Sequence, residues 1–365
     1  MKIVGLIVEY NPLHNGHIHH INEVKAKSNA DLIVAVMSSS FTMRGDLSLF
    51  NKFEKTKQAL TSGIDLVIEL PLVYSIERAD IFSDNAVKIL NLLNVNEIWI
   101  GSENNDLSIY EDYYKKENEI NNKEDYSNSY KNKSNIDLLP NDLLGYFYFK
   151  SIKNNNFNIE LKTIKRINSN YLDEKPSDKF ITSSLSIRHD ISLLDEYTPK
   201  YVSDNKNNIL DENNLFKYLK YRILSTDIKE LKEIFFVDEG LENKLETIKN
   251  YPDLNSFINS LVSKRYTKTR IKRMLIYILL DIKKEQVNKI YQEDPNFIRV
   301  LGFSDNGKAY LNSLKKDIQI YTNIKNGINS ILDIELKAST VLDSVYNTDL
   351  IKKEMQGPQK INSGI

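Results

Sequence analysis

The 365-residue chain contains no cysteine. That excludes disulfides and thiol nucleophiles and leaves stability to packing. It also has no His-Glu-x-x-His pattern, so a dedicated zinc site lacks its usual ligands. No apolar run approaches the roughly 18 residues of a membrane span, and the N-terminal residues offer Lys2 but no apolar signal-peptide core, so the chain is expected to stay in the cytosol. A global excess of either charge is missing too. With a formal net charge of −1, any nucleic-acid partner must be met by a local basic patch. No internal repeat is visible. The 41% hydrophobic content fits a globular protein, and the length allows two or three domains, each with its own core.

Histidine is scarce but concentrated: of the five, His14, His17, His19 and His20 fall within seven residues. They follow the apolar run Ile3-Val4-Gly5-Leu6-Ile7-Val8, which reads as a first strand ending at Glu9-Tyr10-Asn11-Pro12. Pro12 cannot continue a central ladder, so the chain turns there. Gly16 then opens a helix to about Lys27. Its positive dipole end, with no side chain at Gly16, offers backbone N–H groups to a phosphate. His14 and His17 flank that position, where imidazoles can donate hydrogen bonds to an α-phosphate or a leaving pyrophosphate. At this chain's own frequencies, His-x-Gly-His is expected by chance about 0.002 times. Two other readings are open for the cluster: a solvated helix start, and a metal pair formed by His17 and His20 at i, i+3. Magnesium arriving with ATP suits the composition better than a resident metal.

The first hundred residues alternate: strands over Ile3–Glu9, Leu32–Met37, Leu66–Leu70 and Glu97–Ile100, with helices from Gly16, over about Lys52–Thr61 and over about Asp80–Leu93. Continuous apolar strands between helices imply a Rossmann-like parallel sheet covered on both faces. Ligands bind beyond the carboxyl ends of such strands. The loops Asn11–His17, Ser38–Asp46, Glu69–Pro71 and Gly101–Glu103 are therefore expected to converge. Residues Asn104–Asp137 are polar and nearly free of aliphatic side chains, and read as a mobile insertion or a solvated helix pair. A helix over Asp142–Lys153, a strand near Ile159–Ile167 and a serine-led helix start at Ile181–Arg188 follow. Past about Tyr197 the pattern is helical only, with Asp195–Asn214 as a linker. The division is an α/β portion over residues 1–199 followed by an all-α portion over 200–365.

Ser38 and Arg44 stand in the loop after the second strand. There Arg44 can neutralise a phosphate or carboxylate, or simply pair with Asp46. Arg166 and Arg188 add cations downstream of the sheet, and Gly101 would let a base or ribose approach the backbone. Between Thr269 and Lys283 the residues Ile271, Met274, Leu275, Ile278, Leu279 and Ile282 define an amphipathic helix. Its start carries Lys264, Arg265, Lys268, Arg270, Lys272 and Arg273. Arg273 lies opposite the apolar stripe and Arg270 and Lys272 flank it, so the charge is expected to face solvent and a phosphate backbone. The alternative is an ordinary solvated face whose long stems cover the core.

Taken together, Val8-Glu9-Tyr10-Asn11-Pro12-Leu13-His14-Asn15-Gly16-His17, Met37–Asp46, Asp65-Leu66-Val67-Ile68-Glu69-Leu70-Pro71, Gly101-Ser102-Glu103, Pro140–Gly145 and Ser263-Lys264-Arg265-Tyr266-Thr267 make the chain similar to the bacterial tRNA(Met) cytidine acetate ligases, a branch of the HIGH-motif nucleotidyltransferases. The resemblance implies activation of acetate by ATP to acetyl-adenylate, with Mg²⁺ on the nucleotide. Acetyl transfer to N4 of the wobble cytidine of elongator tRNA(Met) would follow. It further implies an ATP site made of Ile7-Val8-Glu9-Tyr10-Asn11-Pro12-Leu13-His14-Asn15-Gly16-His17-Ile18-His19-His20 with Gly101, Asn141, Arg166 and Arg188. Ser183-Ser184-Leu185-Ser186-Ile187-Arg188 resembles the superfamily's Ser-Ser-Thr-x-Ile-Arg motif, with Leu185 in place of threonine. Ser39 and Met43 stand where glycine and glutamine are expected. Composition and spacing reach only an adenylate-forming ATP site; acetate, cytidine and tRNA rest on the resemblance. A metabolite adenylyltransferase would use the same histidines without needing the basic helix. A non-catalytic RNA-binding protein would need the basic helix but not the histidine pair.

Overall fold

The computed structural model describes residues 1–122, 137–167, 179–238, 240–314 and 318–361. Its centre is an eight-stranded sheet: β1 (Ile3–Val8), β2 (Leu32–Ser38), β3 (Leu66–Leu70), β4 (Glu97–Ser102), β5 (Glu160–Lys165), β6 (Phe297–Phe303), β7 (Gln319–Tyr321) and β8 (Gln359–Lys360). The order is β5-β4-β1-β2-β3-β6-β7, with β8 also on β6. The first five strands run parallel. Every residue of β2 and β3 is buried, as strands covered by helices on both faces must be. Succession runs from β1 outward to β3, then returns to β4 on the other side of β1, which places a topological switch point between β1 and β4.

The flanking helices start and stop where their sequences dictate. Asn15–Ser28 ends at Asn29 in the left-handed conformation, φ 51°. Lys52–Thr61 is capped by Asn51, whose side chain accepts from the N–H groups of Phe53 and Glu54 at 3.0 and 3.1 Å. The polar segment after Asn104 is partly structured: a helix over Ser108–Asn122 packs on the helix Pro140–Asn154, with Tyr110 buried and donating to Asp142 at 2.8 Å, and Lys150 pairing Glu117 at 2.6 Å. Tyrosines carry much of this contact, while the outer side of the first helix is exposed; the rest of the segment expected to be a mobile insertion or a solvated helix pair, residues 123–136, lies outside the described residues.

The region beyond Tyr197 is mainly helical, but the expectation of helices only is corrected by β6, β7 and β8. β6 pairs antiparallel with β3, Leu66 opposite Phe303, so the sheet takes strands from both ends of the chain. The Asp195–Asn214 stretch is no loose linker either. It buries Tyr197 and Val202 in short helical turns and Leu210 between two more, and the Leu210 N–H donates to the Leu49 carbonyl at 2.8 Å. No helix among the described residues is long and apolar enough to cross a membrane.

The join between the two ends of the chain is ionic and buried. Lys52 Nζ lies 2.6 Å from Glu69, 3.2 Å from Glu335 and 2.5 Å from Glu354, and Arg299 of β6 meets Glu354 at 3.0 Å, all five side chains being buried. Glu335 also accepts from the Leu72 N–H, and Glu354 from Ser339 at 2.7 Å. Burial works against the charged Lys52, but Glu354, Glu69 and Glu335 outweigh it and raise its pKa; burial and then Glu335 push Glu69 well up. Lys52→Met removes one of two cations facing three carboxylates. It is expected to lower the free energy of unfolding by about 3–5 kcal/mol, the usual cost of stranding buried charge, read from the urea midpoint. An unshifted midpoint would contradict this account.

Candidate active site

The turn after β1 builds the site. Tyr10 takes a left-handed backbone, φ 47°, the Asn11–Pro12 peptide is cis, and His14 caps the helix Asn15–Ser28. His14 Nδ1 accepts from the Gly16 N–H at 3.0 Å, and His17 Nδ1 accepts from the His14 N–H at 3.3 Å. The rings stack with centroids 3.8 Å apart, and Tyr10 meets His17 edge-on at 5.0 Å. This changes the role of Gly16. Its N–H is occupied by His14, and glycine is needed because a Cβ would lie 2.9 Å from His14 Cε1 and 3.3 Å from Ile181 Cγ2.

The capping also fixes the protons. An imidazole whose Nδ1 accepts a hydrogen bond carries its proton, when neutral, on Nε2. Burial, with Arg166 and Arg188 nearby, pushes the His14 pKa down to about 3; burial, then His14 and Arg166, push His17 well down; burial and Arg166 push His20 down to about 4. His14 and His17 are therefore neutral N–H donors at physiological pH.

Ile7, Val8, Glu9, Tyr10, Asn11, His14, Gly16, His17, His19, His20, Gly101, Asn141, Arg166 and Arg188 line one cavity of about 210 Å³, and Arg44 joins them. It sits at the β1/β4 switch point. Several groups there have unused hydrogen-bonding capacity: Asn11 Nδ2, His20 Nε2 and Arg166 Nε are buried without a protein partner. Asn11 Oδ1 is held by the Leu49 N–H at 2.8 Å, so its amide nitrogen is the free end. Arg188 Nη1 donates to the Asn11 carbonyl at 2.8 Å, and Ser183 caps the short helix that carries it by accepting from the Ser186 N–H at 3.0 Å. Asn141 Nδ2 donates to Glu103 at 2.5 Å, which ties the helix Pro140–Asn154 to the end of β4.

Other expected residues stand off the cavity wall. Leu13 is core, Ile18 packs on the core, Asn15 Nδ2 donates to the Phe180 carbonyl at 3.0 Å, and the Pro12 carbonyl faces Ser184 Oγ at 3.5 Å. Ser38 lies behind the wall, its hydroxyl on Glu9 at 3.2 Å. The Glu69–Pro71 loop does not reach the site: β3 is two strands from β1, and Glu69 is bound to Lys52. Sequence reasoning missed Trp99, Ile100, Leu144 and Tyr148, which give the cavity its apolar side. Proximity of Trp99 to Gly101 was the available signal.

Below the site, buried Lys55 donates to the carbonyls of Glu9 at 2.9 Å and Ser38 at 3.0 Å and to Ser48 Oγ at 3.2 Å. It holds together the ends of β1 and β2. Burial, opposed by Glu9, brings its pKa down to about 7. Burial raises that of Glu9, whose carboxylate accepts from the Met43 N–H at 2.6 Å.

The basic segment divides. Lys264, Arg265 and Lys268 are exposed. Arg270 pairs with Asp238 at 3.3 Å and lies 5.0 Å over the Tyr266 ring. Lys272 pairs with Asp46 at 2.5 Å and Glu212 at 3.4 Å, and Arg273 is only 8% exposed, its Nε donating to the Met43 carbonyl at 2.7 Å. The expected solvent exposure of Lys272 and Arg273 is thus corrected, because the loop after β2 covers that side of the helix.

The sequence profile of the HIGH Nucleotidyl Transferase family matches residues 1–357. The tRNA(Met) cytidine acetate ligase of Caldicellulosiruptor saccharolyticus is 37% identical, with 93% of each chain covered. That of a Geobacillus species is 35% identical over 98% of this chain and 99% of its own, and that of Staphylococcus aureus strain MRSA252 is 35% identical over 97% and 100%. Among solved structures, apo TmcAL of Thermotoga maritima superposes with a TM-score of 0.83 at 24% identity, both chains fully covered. The same protein bound with alpha-thio ATP gives 0.80.

The depressed histidines carry a pH signature. Below the ordinary imidazole pKa of 6.5 the unfolded chain binds protons that His14 and His20 refuse in the folded state until about pH 3 and 4. Stability therefore falls as pH drops through that window. The thermal midpoint of the ligand-free protein is expected to fall between pH 7 and 5. His14→Asn, which keeps a capping acceptor but cannot titrate, should shrink the fall; an equal fall in both proteins would contradict the buried neutral ring.

Proposed function

We propose, from the premise that the chain belongs to the HIGH nucleotidyl transferase family and within it to the tRNA(Met) cytidine acetate ligases, that it activates acetate with ATP and acetylates N4 of the wobble cytidine of elongator tRNA(Met). The observation that carries this reading is the pair of imidazoles, His14 and His17, each accepting a backbone hydrogen bond at Nδ1 and both lining a cavity at the switch point of the sheet, which leaves Nε2 as the donor of a neutral ring. In the first step an acetate oxygen attacks the α-phosphorus of ATP and the bond to pyrophosphate breaks. The two Nε2–H groups donate to oxygens whose charge grows during that displacement, a preorganised stabilisation that needs no proton transfer. Arg166, with Nε unpartnered, Arg188 and Arg44 supply positive charge for the phosphates. In the second step the cytidine amine attacks the acetyl carbonyl of the mixed anhydride, AMP leaves, and the amine loses a proton.

Among the described residues, no group of three or more histidine, aspartate or glutamate side chains is placed to hold a metal ion. Magnesium fits this site as the counter-ion carried on the triphosphate, where it would neutralise the leaving pyrophosphate. We assign residues 1–199 to adenylate formation and 200–365, whose strands return to the sheet, to the helical part that meets RNA in the cytoplasm. Exposed Lys264, Arg265 and Lys268 are the cations best placed for a phosphate backbone.

Pyrophosphate exchange into ATP, measured with and without acetate and with no tRNA present, tests the first step. Exchange is expected only with acetate, and His17→Ala should lower it at least tenfold, one lost oxyanion donor being worth about 10²–10³ in rate elsewhere. Exchange with other acceptors and none with acetate would favour a metabolite adenylyltransferase. Reversing the charge of Lys264, Arg265 and Lys268 should weaken tRNA binding and leave exchange intact; unchanged affinity at moderate salt would move the RNA surface elsewhere.

A further inference from the structure

The loop between β2 and the helix Lys52–Thr61 is held from two sides. Residues 42–46 form a tight turn, the Thr42 N–H donating to the Asp46 carbonyl at 3.0 Å and the Gly45 N–H to the Thr42 carbonyl at 2.9 Å. On the sheet side, Glu9 accepts from the Met43 N–H at 2.6 Å. On the other side stands the helix Lys268–Leu279. Arg273 Nε donates to the Met43 carbonyl at 2.7 Å, and Lys272 reaches Asp46 at 2.5 Å. The fit between turn and helix is close. Gly45 has φ +79°, and a Cβ there would lie 2.7 Å from the Arg273 backbone nitrogen and 2.9 Å from the Lys272 carbonyl carbon. Met43, Arg44 and Asp46 all line the cavity.

We propose that Arg273 and Lys272 are positioning residues of the adenylation site: they hold the 42–46 turn, and with it Arg44, against the nucleotide cavity, and they are not part of the RNA-binding surface. The inference rests on the reading of the cavity as the nucleotide site. Its physical basis is hydrogen-bonding capacity. Arg273 is nearly excluded from solvent and uses Nε on a carbonyl, and Lys272 faces two carboxylates, Asp46 and Glu212. A nucleic-acid phosphate would have to displace those carboxylate and carbonyl partners, whereas Lys264, Arg265 and Lys268, earlier in the segment, are exposed at the surface. The basic run therefore has two tasks divided along one helix start. Its first cations face outward, and its last ones face the active-site loop.

The test compares Arg273→Ala, Arg273→Lys and Lys272→Met with the unaltered chain. The readouts are the Kd for α,β-methylene-ATP by calorimetry, acetate-dependent pyrophosphate exchange, the Kd for tRNA(Met), and the thermal midpoint. Arg273→Ala is expected to weaken binding of the ATP analogue at least fivefold and to change the tRNA Kd less than twofold. Arg273→Lys, which can still donate to the Met43 carbonyl, should recover most of the loss, and Lys272→Met should weaken the analogue at least twofold. A folded Arg273→Ala with unchanged analogue affinity, or with a tenfold loss of tRNA affinity, overturns the assignment. If the alanine variant does not fold, the lysine and methionine variants decide by the same criteria. A wild-type chain that binds the analogue but shows no acetate-dependent exchange would count against the proposed reaction and leave the positioning test standing.

Discussion

Two backbone N–H groups at the start of one helix donate to imidazole nitrogens, and the active-site chemistry follows from that choice. A helix start leaves several N–H groups without intrahelical partners, and here His14 and His17 satisfy two of them by mutual capping. The capping orients both rings, stacks them and selects the tautomer that leaves Nε2–H free. Burial, with Arg166 beside both rings and Arg188 beside His14, keeps the rings uncharged. Gly16 is required because the His14 ring occupies the space a side chain would take. The helix terminus thus presents its anion-binding capacity through two imidazoles and not through bare amides.

The remainder of the molecule keeps that corner in place. Lys55 ties the ends of β1 and β2 from below. The helix Lys268–Leu279 presses on the 42–46 turn from the side. Where β3 meets β6, Lys52, Glu69, Glu335, Glu354 and Arg299 bind the C-terminal helices and β6 to the nucleotide half. Such a buried network is sensitive to loss of any one member, and it makes the two ends of the chain one mechanical body despite their different composition.

Much of this was legible in the sequence, for identifiable reasons. Continuous apolar runs gave the parallel strands, and the boundaries of Lys52–Thr61 and Leu66–Leu70 agree residue for residue. The histidine cluster located the cavity, because its function needs local spacing. β6 escaped because Arg299 interrupts its apolar run and its partner strand β3 is more than 200 residues away in sequence. Lys272 and Arg273 were misplaced for the same reason. Helical periodicity positions a side chain on its own helix but says nothing of a loop 226 to 230 residues distant. Tyr110 and Tyr148 show a further limit, since these buried tyrosines stand where an aliphatic pattern would mark the core.

The central claim, a pair of neutral histidines poised as Nε2–H donors, is open to direct observation. Long-range ¹H–¹⁵N correlation spectra of the protein labelled with ¹⁵N-histidine, taken at pH 7, distinguish the two neutral tautomers from the imidazolium. The account predicts that His14 and His17, assigned by single substitution, both appear as neutral rings protonated at Nε2 and remain so at pH 6. An imidazolium at either position, or protonation at Nδ1, would contradict it.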